Sequence, residues 1–378
     1  MRHGWIWVLA LAACGDDGAV ADGGVDASPL FEGGVRDMFV PDGPEPVDAF
    51  TEPDLGAPAR DRALWISVGG ENRLATGQLA ADGTLSLGDD ISLPARPGAL
   101  AYGRSTERLY VGLRSGSIGV VDLSGPSVLP ITGDTGNPVY LALDASEGHL
   151  VSAYFGDDRL RAHAVDGSPP FTESDTLAAA DEPHAAALGP NGLFYVPHRT
   201  GDTIHWYALD GAGELSLEGQ VAAEAGEGPR HIAFHPSGAY AYVIMEFADV
   251  VVLHDVAADG SLTRREAYPT LPGTFDGDSN TTADVHVTPD GRALYGSNRG
   301  HDSLAMFTIA PGGTLTSLGT VETEARPREF AVSPDGRFVV AAGQDSGFLQ
   351  SYRVEASGEL TRVDRLDVGP DLRWVVID

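Results

Sequence analysis

Chemistry in this chain of 378 residues has to be done with arginine, histidine and carboxylates. All 24 basic residues are Arg, so no lysine is available as a Schiff base or amine nucleophile. The one cysteine, Cys14, sits at the end of an apolar run near the N-terminus, where acylation would remove it from thiol chemistry. No HExxH, EF-hand loop or P-loop is present, and neither metal nor cofactor is expected. What remains is His184, Arg199, Arg230, Glu246, Arg299 and Arg328, with His231 and His286 close by in sequence. A guanidinium offers a planar fork of donors that matches carboxylate or phosphate oxygens. A glutamate or imidazole beside it can move a proton or activate water. Such a set would take a small anionic ligand and act on it without a metal.

These residues lie up to 144 positions apart, from His184 to Arg328, so a repeating architecture must gather them. The repeat is visible: similar units start at Pro97, Pro138, Pro183, Pro229, Ala283, Pro327 and Pro370, at intervals of 41 to 54 residues, the range of propellers and solenoids. Within a unit, short β-rich runs are split by turns such as Pro190-Asn191-Gly192, Pro236-Ser237-Gly238, Pro289-Asp290-Gly291 and Pro334-Asp335-Gly336. A second turn recurs as Asp82-Gly83, Asp259-Gly260 and Gly312-Gly313. Both favour tight hairpins. Each unit therefore reads as a four-stranded antiparallel blade. The last start is followed by one strand only, Leu372–Ile377, while the folded region opens at Ala63–Val68 with no inner strand before it. The two ends should share one blade, which closes the ring and removes exposed edges. The expected fold is all-β, a seven-bladed β-propeller over residues 61–378, with a flat sheet or sandwich as the alternative.

In such a blade the innermost strand and its neighbour run antiparallel, so the start of one lies beside the end of the other at one mouth of the channel. Arg230 and Glu246 flank the turn at Ser237-Gly238 and should be near neighbours. Shifting by the period carries Glu246 onto Arg299 and Arg199, and Arg230 onto His184 and Arg328. These six should ring one mouth; His231 and His286 point either into the channel or into the blade, and are expected to bind substrate. Other assignments are purely structural. Arg292 and Arg337 follow turns and read as solvated, His235 and His254 as packing groups, and Arg230–Glu246 is open to being an ion pair that stitches its hairpin.

The remainder of the chain is of another kind. Arg2 and His3 followed by the apolar run Trp5–Ala13 read as an export signal over 1–13, too short to span a bilayer. Residues 14–60, crowded with Gly, Pro and acids, read as a disordered tether with net charge −9 over residues 15–60. The propeller carries −23, which disfavours nucleic acid and anionic membrane surfaces. Membrane attachment is expected only through a lipid on Cys14, placing the protein in the bacterial cell envelope (periplasm or outer membrane), as a monomer.

Several stretches resemble a known family. Gly228-Pro229-Arg230-His231-Ile232-Ala233-Phe234-His235-Pro236, Val285–Arg292, Gly296–Ser303 and Pro327-Arg328-Glu329-Phe330 are similar to signature segments of the lactonase seven-bladed propellers, which include 6-phosphogluconolactonases and carboxymuconate cyclases. Leu11-Ala12-Ala13-Cys14 resembles a lipobox. The family resemblance implies metal-free hydrolysis of a sugar lactone, with His184, Arg230, Glu246 and Arg299 catalytic, and Arg199, His231, His286 and Arg328 around them for substrate. An exported chain suits a non-phosphorylated aldonolactone or an unsaturated dicarboxylate better than a phosphorylated metabolite. Met245, Ala186 and Ala341-Ala342-Gly343 depart from the family pattern. The alternative function is a non-catalytic, lipid-anchored propeller that binds a ligand or partner protein.

Overall fold

A computed structural model describes residues 59–125, 128–130, 136–167, 171–277 and 279–378; the expected signal segment, Cys14 and the tether up to residue 58 lie outside the described residues. The described chain forms seven four-stranded antiparallel sheets. Six are built from consecutive strands, and the seventh joins Leu372–Ile377 to Arg62–Val68, Arg73–Leu79 and Leu85–Ser92. The ring is thus closed by both ends of the domain, as the unmatched terminal strands require. Counting that sheet as the first blade, the innermost strands of the second to seventh begin at Pro97, Pro138, Ala187, Pro229, Thr281 and Pro327.

The burial pattern explains why these runs stay strands. Second strands such as Tyr240–Met245 and Ala293–Arg299 are buried on both faces, because they are sandwiched between neighbouring blades. Outermost strands such as Leu85–Ser92 and Leu262–Pro269 keep one buried leucine at their start and are otherwise largely exposed. Blade-to-blade contact is pinned by a repeated bond. The hydroxyls of Tyr195, Tyr242 and Tyr295 donate to the carbonyls of Gly260, Gly313 and Gly358 in the following blade, at 2.7, 2.8 and 2.9 Å. Those glycines hold φ of +85°, +80° and +89° in the turns that lead to the outer strand, a conformation that glycine adopts without cost.

Two features aim side chains at the channel mouth. The pairing of inner with second strand slips by one residue near its start: Pro229 faces Met245 but His231 faces Ile244, and Pro327 faces Gly343 but Glu329 faces Ala342. In the first blade Leu372 faces Val68 and Trp374 faces Ser67. The residues skipped are Arg230, Arg328 and Arg373, and a bulge of this kind redirects side chains away from the ladder. In addition, Asp158, Asp202 and Asp302 sit at positive φ after the second strands and accept the backbone N–H of Glu182, Gly228 and Arg326 at 2.8, 3.0 and 2.9 Å. Each clamps the chain two residues before His184, Arg230 or Arg328.

Ring closure is reinforced by a buried ion pair between Arg62 and Asp335, 3.1 Å apart, while Arg62 also donates to the carbonyl of Asp378 at 3.0 Å. Asp335→Ala takes away one partner of a buried pair, and is expected to destabilise the propeller by about 3–5 kcal/mol. Urea unfolding of the variant beside the parent protein checks this; a loss under about 1 kcal/mol would contradict a closing role for the pair.

Candidate active site

The period-derived alignment holds in the structure. Glu246 N donates to Gly228 O, Arg199 N to Glu182 O, and Arg114 N to Arg96 O, while Arg299 pairs with Thr281. Arg114, Arg199, Glu246 and Arg299 therefore occupy one position in four different blades, at the end of the second strand. His184, Arg230, Arg328 and Arg373 occupy the matching position near the start of the inner strand.

Glu246 is the centre of the arrangement. Its Oε1 accepts from Arg299 Nη2 at 2.8 Å and Arg199 Nη1 at 3.3 Å. Arg230 Nε lies 3.6 Å from Oε2, an oxygen that accepts no hydrogen bond among the described residues. Burial alone would raise the Glu246 pKa, but the charges of Arg230, Arg299 and Arg199 outweigh it and hold the carboxyl below its ordinary 4.5. Arg230 is completely buried and reaches the Ala283 carbonyl and Glu329 Oε1, the latter at 3.4 Å. Arg199 is stacked on Phe155 and Phe247, its guanidinium carbon 4.5 and 5.3 Å from the ring centres, and is tied to Glu182 at 2.9 Å. His184 is buried with its ring 5.4 Å from that of His231. Burial first, and then Arg230 and His231, keep its pKa well below 6.5, so the ring is neutral at pH 7.

Beneath this layer lies a hydrogen-bonded floor. His231 Nδ1 is 2.9 Å from Asp284 Oδ1, and His286 Nε2 is 2.9 Å from Asp284 Oδ2. Burial opposes ionisation of Asp284, but the two histidines outweigh it and hold its pKa well below 3.8. Glu329 is pushed the other way: burial and the charge on Asp284 raise its pKa well above 4.5. His231, Asp284 and Glu329 bring ligand-type atoms within 4.8 Å of one another. The donor set does not fit a cation, however. Arg230 already serves Glu329, and its Nη1 lies 3.1 Å from His231 Nε2, which leaves the proton of a neutral ring on Nδ1, facing Asp284.

A family model described as "Lactonase, 7-bladed beta-propeller" matches residues 66–377. A 6-phosphogluconolactonase of Serratia proteamaculans is 33% identical over 333 residues, which cover 83% of this chain and 98% of the relative. One from Yersinia pestis is 30% identical over 334 residues, covering 84% and 98%. The chain belongs to the seven-bladed β-propeller lactonase family. Solved structures with the same fold include a protein from Lactobacillus plantarum, with TM-score 0.79, 24% identity and coverage of 84% of this chain and 99% of that one. A periplasmic gluconolactonase from Pseudomonas aeruginosa has TM-score 0.73 and 21% identity, covering 84% and 98%.

Within this lactonase-family propeller, His184, Arg199, Arg230, Glu246 and Arg299 come together as the repeat implies, although Arg230 is buried below the rim and not displayed on it. His231 does face the channel, as part of the floor. His286 does not join the cluster: it lies two residues beyond Asp284, beside a cavity of about 280 Å³ that His231 and Asp284 also line. Arg328 shares the mouth but points to another cleft, with Arg114 and Arg373. Sequence reasoning missed Arg114, Arg373, Asp284 and Glu329. The same shift that links Glu246 to Arg299 also reaches Arg114, but the hairpin turn of that blade, Arg104-Ser105-Thr106-Glu107, lacks the Pro-x-Gly marker. Of the residues expected to be structural, Arg292 is highly exposed, His254 is buried, and His235 bonds Ser237 within its turn.

Among the described residues Arg328 makes no hydrogen bond or ion pair. Burial, and then repulsion from Arg230, press its pKa down to about 9, so it is still charged at neutrality. An unpaired charge in this setting costs stability, so Arg328→Met should stabilise the fold by roughly 1 kcal/mol. A melting temperature below that of the parent would show that Arg328 is structural.

Proposed function

We propose that this lactonase-family propeller hydrolyses a sugar lactone at the Glu246 mouth without a metal. The observation that carries the reading is a buried, ionised Glu246 held by three guanidiniums, with one oxygen left to accept a proton. Water attacks the ring carbonyl carbon as Glu246 takes its proton. Charge then develops on the carbonyl oxygen, where Arg230 and Arg299 supply fixed positive donors. Collapse breaks the ring C–O bond, and the departing oxygen receives the proton from Glu246, which gives a hydroxy acid that ionises on release. Neutral His184 offers a hydrogen bond to a substrate hydroxyl, and Arg199 braces the carboxylate. The Pseudomonas neighbour is named a periplasmic gluconolactonase, which supports an unphosphorylated substrate. Its periplasmic location also agrees with export; anchoring through Cys14 is part of the proposal and rests on the sequence alone.

Glu246→Gln keeps the shape and removes the base, so kcat on an aldonolactone should fall by at least about a hundredfold; Arg299→Gln should lower kcat by a similar factor. Proton release against the spontaneous rate measures both. No turnover by the parent on any lactone would instead favour the ligand-binding propeller. The pH profile is a separate check. With Glu246 held below 4.5 and His184 well below 6.5, the ionised carboxylate and neutral ring are both present from pH 5 to 7.5. The corrected kcat/KM should therefore show no inflection near 6.5 and should fall only as pH drops through the depressed Glu246 value. An acid limb centred near 6.5 would move the base to a histidine.

A further inference from the structure

The oxygen of Glu246 that is left to accept a proton, Oε2, faces one atom of Arg230. The Nε of that guanidinium lies 3.6 Å away, and neither atom makes a hydrogen bond among the described residues. How Arg230 is turned therefore decides what stands beside the free oxygen. The side chain is completely buried, and protein groups fix its orientation from the other end of the fork. Nη1 donates to the Ala283 carbonyl and lies 3.1 Å from His231 Nε2, while Nη2 lies 3.4 Å from Glu329 Oε1. His231 is held in turn by Asp284, whose Oδ1 is 2.9 Å from its Nδ1. Asp284 is itself fixed from three directions: Oδ2 accepts from Phe330 N at 3.2 Å and lies 2.9 Å from His286 Nε2, and its own backbone N–H donates to Ser297 Oγ at 3.0 Å. The fifth, sixth and seventh blades are thereby joined at one carboxylate, and the chain of bonds that starts there ends on Arg230.

A guanidinium has only donors, and an ionised carboxylate only acceptors. A neutral imidazole has one of each, so His231 can serve both neighbours in one form alone, with its proton on Nδ1 and its lone pair on Nε2. The other tautomer sets N–H against N–H at Arg230 and a lone pair against the carboxylate at Asp284. Burial, and then Arg230, press the His231 pKa down to about 3, so the ring is neutral at pH 7. At 3% exposure it offers a ligand almost no surface. We infer that His231 is a positioning residue and not a substrate ligand: held by Asp284 in its Nδ1–H form, it turns the Arg230 fork through Nε2 so that Arg230 Nε faces the proton-accepting oxygen of Glu246. Its effect on turnover rests on the function proposed above. The tautomer does not.

The test uses the purified full chain in two arms. In the first, the histidines are isotopically labelled, and nitrogen–proton correlation spectra show which ring nitrogen carries the proton; the His231 signals are those missing from His231→Gln. At pH 7 the neutral Nδ1–H form is expected. The Nε2–H form, or an imidazolium, overturns the inference whether or not the protein is active. In the second arm, kcat and KM on an aldonolactone are measured for His231→Gln and His231→Phe, each verified as folded by its melting curve. Gln carries an amide oxygen that can accept from Arg230 and an amide N–H that can reach Asp284. Phe keeps a ring to pack beside Tyr140 and Trp374 but has neither group; His231→Leu replaces it should Phe not fold. Positioning predicts that the apolar variant lowers kcat by about tenfold or more with KM within about twofold, and that His231→Gln recovers most of the loss. The reverse order, with Phe tolerated and Gln not, makes the ring a packing element and overturns the inference. A raised KM with kcat unchanged, the mark of a substrate ligand, overturns it too. The Nδ1–H form in a parent that turns over no lactone keeps the tautomer and removes the hydrolase; turnover with the other tautomer does the reverse.

Discussion

The mouth of this propeller holds more guanidiniums than carboxylates able to balance them, and the structure depends on tolerating that excess. Arg199, Arg230 and Arg299 share Glu246, while Arg96 and Arg373 share Asp371. Arg114 and Arg328 are left without a partner among the described residues. Two like charges a few ångströms apart in a poorly solvated setting repel by several kcal/mol at an effective dielectric near 20. A flexible scaffold would relax such repulsion by moving the side chains out to water. Here the chain cannot follow, because each inner strand is locked to its second strand, and the aspartates at positive φ fix the residue two positions before the site in three blades. Rigidity turns an electrostatic cost into preorganised donors, the form in which charge is most useful to a reaction that develops an anion.

Repetition does the gathering. A blade by itself presents one residue at the start of its inner strand and one past the end of its second strand. Seven blades multiply these into two concentric rings, and sequence drift decides what stands in each. Gly98, Val139 and Ala283 leave room where Arg230, Arg328 and Arg373 fill it, and Phe155 stands in line with Arg199 and supplies an aromatic face to it. The site is therefore asymmetric within a symmetric frame. Glu246 lies in one part of the mouth and the Arg114–Arg328–Arg373 cleft in another.

The fold was legible because a hairpin turn leaves a strong local mark. Pro-x-Gly and Asp-Gly pairs recur at the repeat period, and the missing inner strand before Ala63 matches the surplus strand after Pro370. The core of the site was legible for the same reason, since Arg230 and Glu246 flank one such turn and the period carries the pair around the ring. What escaped depends on features with no local mark. The one-residue slip that frees Arg373 falls after Pro370, where the run Asp371-Leu372-Arg373-Trp374 does not say which residue is skipped. Arg114 sits in a blade whose turn lacks the marker. The opposite pKa shifts of Asp284 and Glu329 follow from contacts between residues 45 positions apart and from two histidines, His231 and His286, that share one carboxylate. No spacing rule contains that information.

The floor also gives the channel a direction. His231, Asp284 and Glu329 are each buried to about 3% exposure, and Tyr140 packs edge-on against Trp374 and His231, which are tilted against each other, with ring centres 5.3 to 6.1 Å apart. This layer separates the guanidinium-rich mouth from the cavity beside His286. For a hydrolase that makes a carboxylate, this is a demanding geometry, because the product is more strongly attracted to the mouth than the neutral lactone group was. Sharing relieves the demand. Arg199 and Arg299 are already engaged by Glu246 and by Glu182 or the Thr282 carbonyl, so a new carboxylate must compete with bonds in place. The acidic exterior, at −23, then favours departure of an anion once it has cleared the rim.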